Sequence, residues 1–280
     1  RALEMFEAAV LGAERAGDVV ARLDAMRELA HELIGSGHLD EAERTLRQVE
    51  AAHQRFEVRP WHWDAELTKL HAYLHIERAE FDDAVEWARR YANEIEQHAP
   101  DNPELRLAAD TLLVKAMTNR GDKEGLLERW DAVRSQAIAL YGPVHATHAA
   151  ALNSMGVVKY YGGDLKSAAK LTRASLEIRD QLGEGEHPSL LSALLNLGTF
   201  ERNFDPKASI ATLERAARIA RAHRPVYDKQ LAKALYNASG VKRGIEDHEG
   251  ALADIREAHG IWQALHGAEH PTSISGLKDI

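Results

Sequence analysis

The chain contains no cysteine, which removes disulfide frameworks and thiolate metal sites and fits a reducing, cytoplasmic setting. It has no basic run. Its 35 Lys and Arg are outnumbered by 44 Asp and Glu, for a net charge of −9. Non-specific nucleic-acid binding draws on clustered cations, so no nucleic-acid partner is expected. No stretch approaches the roughly 18 consecutive apolar residues of a membrane span, so no membrane partner is expected either. Alternating or β-branched runs are scarce, which leaves little strand signal. Catalytic signatures are missing as well. No Gly-Lys-Ser/Thr follows any glycine, His223-Arg224-Pro225 lacks the Asp of a kinase loop, and no Ser sits in a nucleophile elbow. No catalytic residue and no cofactor are expected.

What is present is a register. Ala42, Ala84, Leu126, Ala168, Ile210 and Leu252 are small or apolar residues at a constant spacing of 42. A second series, Ala30, Ala72, Val114, Gly156, Gly198 and Gly240, falls 12 residues before each member of the first. Two antiparallel helices approach closely only where side chains are small, so paired series of this kind predict about six helical-hairpin repeats in one array. The units fall at 23–64, 65–106 and 107–148 in the first half and 149–190, 191–232 and 233–274 in the second. Residues 1–22 read as the end of an upstream repeat and 275–280 as the start of a further one. Both ends read as cuts through a larger protein.

Each unit repeats one order of events. A first helix, such as Asp24 to Ile34, ends at a turn rich in Gly or Asp: Gly35 to Gly37, Gly121-Asp122, Gly162-Gly163-Asp164, Asp205-Pro206. These residues supply left-handed backbone angles and side-chain caps. Asp205 is the expected N-cap, with Pro206 at the first helical position. Second helices are expected over Glu41 to Phe56, Asp83 to His98, Glu124 to Leu140, Lys166 to Leu182 and Lys207 to Ala222. Seven of the 8 prolines then fall between units, where they stop helix propagation.

In the second half the units carry explicit motifs: Leu152-Asn153-Ser154-Met155-Gly156, Gly163-Asp164-Leu165, Ala168-Ala169, Leu176-Glu177-Ile178-Arg179, Leu182-Gly183 and His187-Pro188. Leu195-Asn196-Leu197-Gly198, Tyr236-Asn237 with Gly240, Leu265-His266-Gly267 and His270-Pro271 repeat parts of them. This pattern resembles the tetratricopeptide (TPR) unit of kinesin light chains over residues 141–275. Over 23–140 it does so by register only, best at Gly37, Leu39, Ala42, Leu46, Phe81 and Ala84. Two departures stand out. Ile210 replaces the usual Ala and Glu214 a usual apolar residue, and the last unit needs a one-residue adjustment that puts Ala251 at the small position. In style, the Ala- and Arg-rich array is similar to those that follow myxobacterial Ser/Thr protein kinase domains. The first resemblance implies an all-α, right-handed superhelical solenoid of antiparallel helix pairs, whose first helices line a peptide-binding groove.

In that frame the groove side includes Arg27 and His31, Lys69 and Tyr73, Thr111 and Lys115, Asn153 and Val157, Leu195 and Thr199, and Asn237 and Val241. Asn196, Tyr160, Arg202 and Asn203 lie close by. An Asn amide both donates and accepts, so a row of them can hold an extended backbone without demanding one sequence. The competing reading is a solvated helix face. Arg27, Lys69 and Lys115 would make the first half of the groove basic and favour an acidic peptide. A clamp for a free C-terminus is not expected, because Lys69 is followed by Tyr73 and not Asn. The expected function is protein–protein interaction, with an extended peptide or a partner helix in the groove. The alternatives are a docking region of a larger bacterial signalling enzyme, most simply a Ser/Thr kinase, and self-association with another copy.

His71 and His75 share a helix face, as do His145 and His148, but neither pair shows a carboxylate or third ligand in the motif. Packed neutral histidines are therefore expected, and no metal site. His145, His187 and His270 match the inter-unit motif and are expected to cap or pack the turn. Trp61-His62-Trp63 is either an exposed anchor or a buried cover over the joint between the first two units, and burial is the preferred reading. Trp87, Trp130 and Trp262 read as inter-repeat packing.

Overall fold

The computed structural model describes residues 2–122 and 124–267, which form thirteen α-helices and one 3-10 turn, with no strand among them. His270 and Pro271, read above as a closing turn, lie outside the described residues. The chain divides into two compact units, Arg1–Arg129 and Trp130–Ile280.

In the first unit, α1 (Ala2–Ala16), α2 (Val19–Ser36), α3 (Leu39–His53), α4 (Trp61–Glu77), α5 (Phe81–His98) and α6 (Pro103–Arg120) follow one another. Each packs on the next, and α2, α4 and α6 also touch in series. The boundary between units falls inside α7 (Leu126–Tyr141). In the second unit, α8 (Ala146–Tyr161), α9 (Leu165–Gln181), a 3-10 turn (Pro188–Leu190), α10 (Leu191–Glu201), α11 (Pro206–Ala222), α12 (Asp228–Gly244) and α13 (His248–His266) pack in the same successive way.

Local chemistry explains where these helices start and stop. Asp18 caps α2, its carboxylate accepting from the Ala21 N–H at 3.0 Å, so the helix begins well before the apolar pattern at Asp24. Asp164 and Asp205 cap α9 and α11 through the Ser167 and Ala208 N–H groups, each at 3.1 Å, with Pro206 in the first turn. Gly37 and Gly121 close α2 and α6 in the left-handed region, at φ 84° and 88°. The ring Nδ1 of His145 and of His187 accepts from the N–H two residues on, both at 3.2 Å, so these two inter-unit histidines are helix caps.

The small-residue series lies in the core. Ala30 and Ala42 are wholly buried, as are Ala72 and Ala84. Later the register slips. Ser209, not Ile210, is wholly buried at the close approach and donates to the Gly198 carbonyl at 2.6 Å, while Ile210 is only half-buried. Likewise Ala251 is buried and Leu252 half-buried. The glycine series keeps its spacing, so the interval from glycine to buried small residue is 12 from Gly156 to Ala168 but 11 from Gly198 to Ser209 and 11 from Gly240 to Ala251. One residue fewer in this interval accounts for the shifted small position in both units.

Aromatic residues finish the first unit's core. Trp63 is 5% exposed, stacks on His53 at 4.9 Å and meets Phe56 edge-on at 5.2 Å. Burying a side chain of this size contributes roughly 1.5–3 kcal/mol. Trp61 is half-buried against the His98 ring at 5.4 Å, and His62 is exposed. The aromatic run is thus mainly a packing element, with His62 its solvent-facing member. Trp130 and Trp262 are buried and Trp87 half-buried.

Candidate functional site

In the first unit the groove-side residues come from α2, α4 and α6. A cleft of about 400 Å³ is lined by Asp24, Arg27, Glu28, His31, Glu66, Lys69 and Leu70. The cations expected to make it basic are already engaged. Arg27 is buried; its guanidinium pairs with Asp24, donates to His53 Nε2 at 3.2 Å and lies 5.3 Å over the Trp63 ring. Lys69 pairs with Glu66 at 2.5 Å. With Glu28, three carboxylates face two cations, so the cleft is not the basic surface that the sequence suggested. Both pairs sit at i, i+3 on one helix, a spacing readable in the sequence.

Exposed His31 of the cleft lining meets Tyr73 edge-on at 6.1 Å, and the Lys115 ammonium stands 5.2 Å from the centroid of the same ring. Burial pushes the Tyr73 hydroxyl above its usual range, with Glu66 acting in the same direction. Burial lowers Lys115, against the pull of Glu77. Among the described residues Lys115 has its ring contact but no ion pair. Thr111 spends its hydroxyl on the Leu107 carbonyl at 2.6 Å.

In the second unit α8, α10 and α12 present the Asn row. The Asn196 amide donates to the Asn153 side-chain oxygen at 3.2 Å, and Asn237 donates to the Thr199 hydroxyl at 3.4 Å. All four side chains are half-buried. The Asn153 amide, the Asn196 oxygen and the Asn237 oxygen keep hydrogen-bonding capacity that these contacts do not use. Tyr160 stacks on Phe200 at 4.8 Å beside the row. Exposed Arg202 lays its guanidinium against Gly240, where a Cβ would stand 3.4 Å from it. Val241 belongs to the core, buried with Leu213 and Ala238, and lines no groove. The structure thus bonds Asn153 to Asn196, and Asn237 to Thr199 on α10, with Arg202 against Gly240 of α12. Arg27 becomes a strut beneath its cleft.

This is the geometry of an all-α helix-pair array. Residues 147–222 match the family model for the tetratricopeptide repeat. Over the rest of the chain the fold is similar to solved TPR-like arrays, those of a kinesin light chain among them. BtubC (BKLC) from P. vanneervenii is 17% identical over 95% of this chain and 94% of its own, with a TM-score of 0.61. A kinesin light chain from Podosopora anserina, built of nearly identical TPR-like repeats, is 15% identical over 75% of this chain and 99% of its own, TM-score 0.55. NprR in complex with its cognate peptide NprX is 10% identical over 99% of this chain and 87% of its own, TM-score 0.64. No curated protein matches the sequence. No described helix is long and apolar enough to cross a membrane.

Proposed function

We propose that this chain is a protein-interaction module that holds an extended peptide of a partner along the Asn153–Asn196–Asn237 strip. The observation that carries this reading is the strip itself: Asn196 bonded to Asn153 and Asn237 to Thr199, all half-buried, with one donor amide and two acceptor oxygens left over on successive helix pairs. An extended strand offers alternating N–H and C=O groups to such a row, and its side chains remain free to set specificity. NprR, a protein of the same fold, binds a peptide. Arg202 and Tyr160 flank the strip as a cationic and an aromatic contact. In the first unit, Lys115 over Tyr73 offers one cation to an acidic side chain of the partner. Docking a larger signalling enzyme would be one instance of the same activity.

The test is selection of binding peptides from a random display library on the full chain, followed by affinity measurement on N153A, N196A and N237A. Each lost hydrogen bond removes about 1 kcal/mol, or about fivefold in affinity, and the triple variant should lose capture. Selected peptides that bind the triple variant as tightly as the parent would refute the assignment.

A further inference from the structure

The α4–α5 turn holds a cluster that lies outside the Asn strip. His75, in the last turn of α4, brings Nδ1 to 2.6 Å from a Glu80 carboxylate oxygen. Asp83 joins them from the first turn of α5. The His75 nitrogen and one carboxylate oxygen from each acid lie within 4.8 Å of one another. The sequence pair His71 and His75 lacked a third ligand; the next helix supplies two carboxylates.

We propose that His75, Glu80 and Asp83 bind a divalent transition-metal ion of the zinc class. Donors around a tetrahedral zinc ion stand roughly 3.3 Å apart, as its short bonds require, so modest side-chain rotation closes the site. One imidazole nitrogen and two carboxylates match zinc, cobalt or nickel, whereas calcium and magnesium prefer an all-oxygen shell. Three protein donors leave a fourth position for water.

The donors are held in place before any ion arrives. The His75 ring lies parallel to Trp87, at 11° with centroids 6.5 Å apart, and stacks on His71 at 6.4 Å. His71 is itself held by Glu50 at 2.7 Å and by Trp87 at 4.4 Å. The Glu80 N–H donates to the His75 carbonyl at 2.9 Å, which ties two ligand residues together through the backbone. Arg78, the nearest cation in sequence, pairs with Asp40 and Glu43 instead. Among the described residues the Asp83 carboxylate has no ion pair or hydrogen bond. A cation here relieves the mutual repulsion of Glu80 and Asp83, and the ion takes the place of the proton between His75 and Glu80.

Isothermal titration of the full chain with zinc chloride tests this, beside cobalt chloride followed by visible absorption and nickel chloride followed by tryptophan emission. The expected result is one zinc site that weakens by more than about tenfold in H75A and in D83N, and is unchanged in H62A. Nickel should quench emission from Trp87, and W87F should remove that quenching. Asp83 is exposed, so D83N reports on binding without a folding defect. Equal zinc binding by the parent, H75A and D83N would mean an adventitious ion only, and would overturn the proposal.

Discussion

Replacing Gly198 by alanine probes a close helix approach in the second unit. A Cβ built at Gly198 would lie 2.5, 2.7 and 3.2 Å from Leu213 Cγ, Cδ2 and Cδ1. Carbon atoms in good contact stand about 3.5–4.0 Å apart, so Leu213 or the whole of α11 must move by about 1 Å. Neither is free to do so. Leu213 is wholly buried in a cluster with Ala238 and Val241, and the Ser209 hydroxyl holds α11 to the Gly198 carbonyl at 2.6 Å. Overpacking of this kind costs about 1–3 kcal/mol. Against it stands the gain of about 1 kcal/mol from replacing glycine inside a helix. The balance is a net destabilisation of up to about 2 kcal/mol. Denaturant unfolding followed by circular dichroism reads the loss, and hydrogen exchange should place it at α10 and α11. Gly260, inside α13 with nothing within 4 Å of its Cβ position, is the control, and G260A should stabilise by about 0.5–1 kcal/mol. The double variant G198A/L213A should be less destabilised than the sum of its single changes by about 1 kcal/mol or more, because the added methyl fills part of the space that Leu213 vacates. A G198A variant as stable as G260A would refute the close-approach argument.

Two further expectations concern buried polar groups. Thr172 is wholly buried and its hydroxyl finds no hydrogen-bond partner among the described residues, so T172V should raise stability by about 1 kcal/mol; a loss in the same unfolding assay would show that the hydroxyl has a partner after all. His53 is buried, and its Nε2 accepts from the Arg27 guanidinium, which places its proton on Nδ1, 3.8 Å from Asp64. Burial, then the charges of Arg27 and Arg59, lower its proton affinity against the pull of Asp64 and Glu50. The unfolded chain takes up this proton near pH 6.5. The contribution of His53 to stability is therefore complete above about pH 6.5 and is lost as pH falls below it. Unfolding curves at several pH values should show a shallower acid loss in H53L than in the parent, and equal slopes would count against a neutral buried imidazole.

The legibility of the chain varied from residue to residue for physical reasons. Capping was readable because it is local: Asp205 with Pro206, and Asp164 after two glycines, need only the residues beside them. Ile210 was not readable. Its place in a 42-residue series marked it as an exception, whereas the structure shows one residue fewer between Gly198 and the buried small position than between Gly156 and Ala168, so that Ser209 takes that position. A rigid spacing cannot reveal a deletion whose partner helix decides the register. Arg27 shows what spacing leaves out. Its spacing put it on the groove side, where it does line the cleft, but not in contact with His53 on the next helix and Trp63 beyond, which draw its guanidinium into the packing. His75 shows the converse: paired with His71 in the motif it lacked ligands, and the fold of the next turn brought Glu80 and Asp83 to it.

By itself the sequence determined the all-helical class, the helix-pair repeat, the caps and the row of Asn153, Asn196 and Asn237. These follow from composition, short-range backbone chemistry and a period that survives substitution. Tertiary structure alone decided where the cations sit. Arg27 and Lys69 meet carboxylates at i, i+3 on their own helices, but only the fold seats Arg27 against His53 and Trp63 and Lys115 over Tyr73. It also decided that Asn196 bonds to Asn153 and Asn237 to Thr199 across helices, since side-chain pairing depends on distances between residues far apart in the chain, 43 for Asn153 and Asn196, and a one-dimensional pattern does not encode those distances.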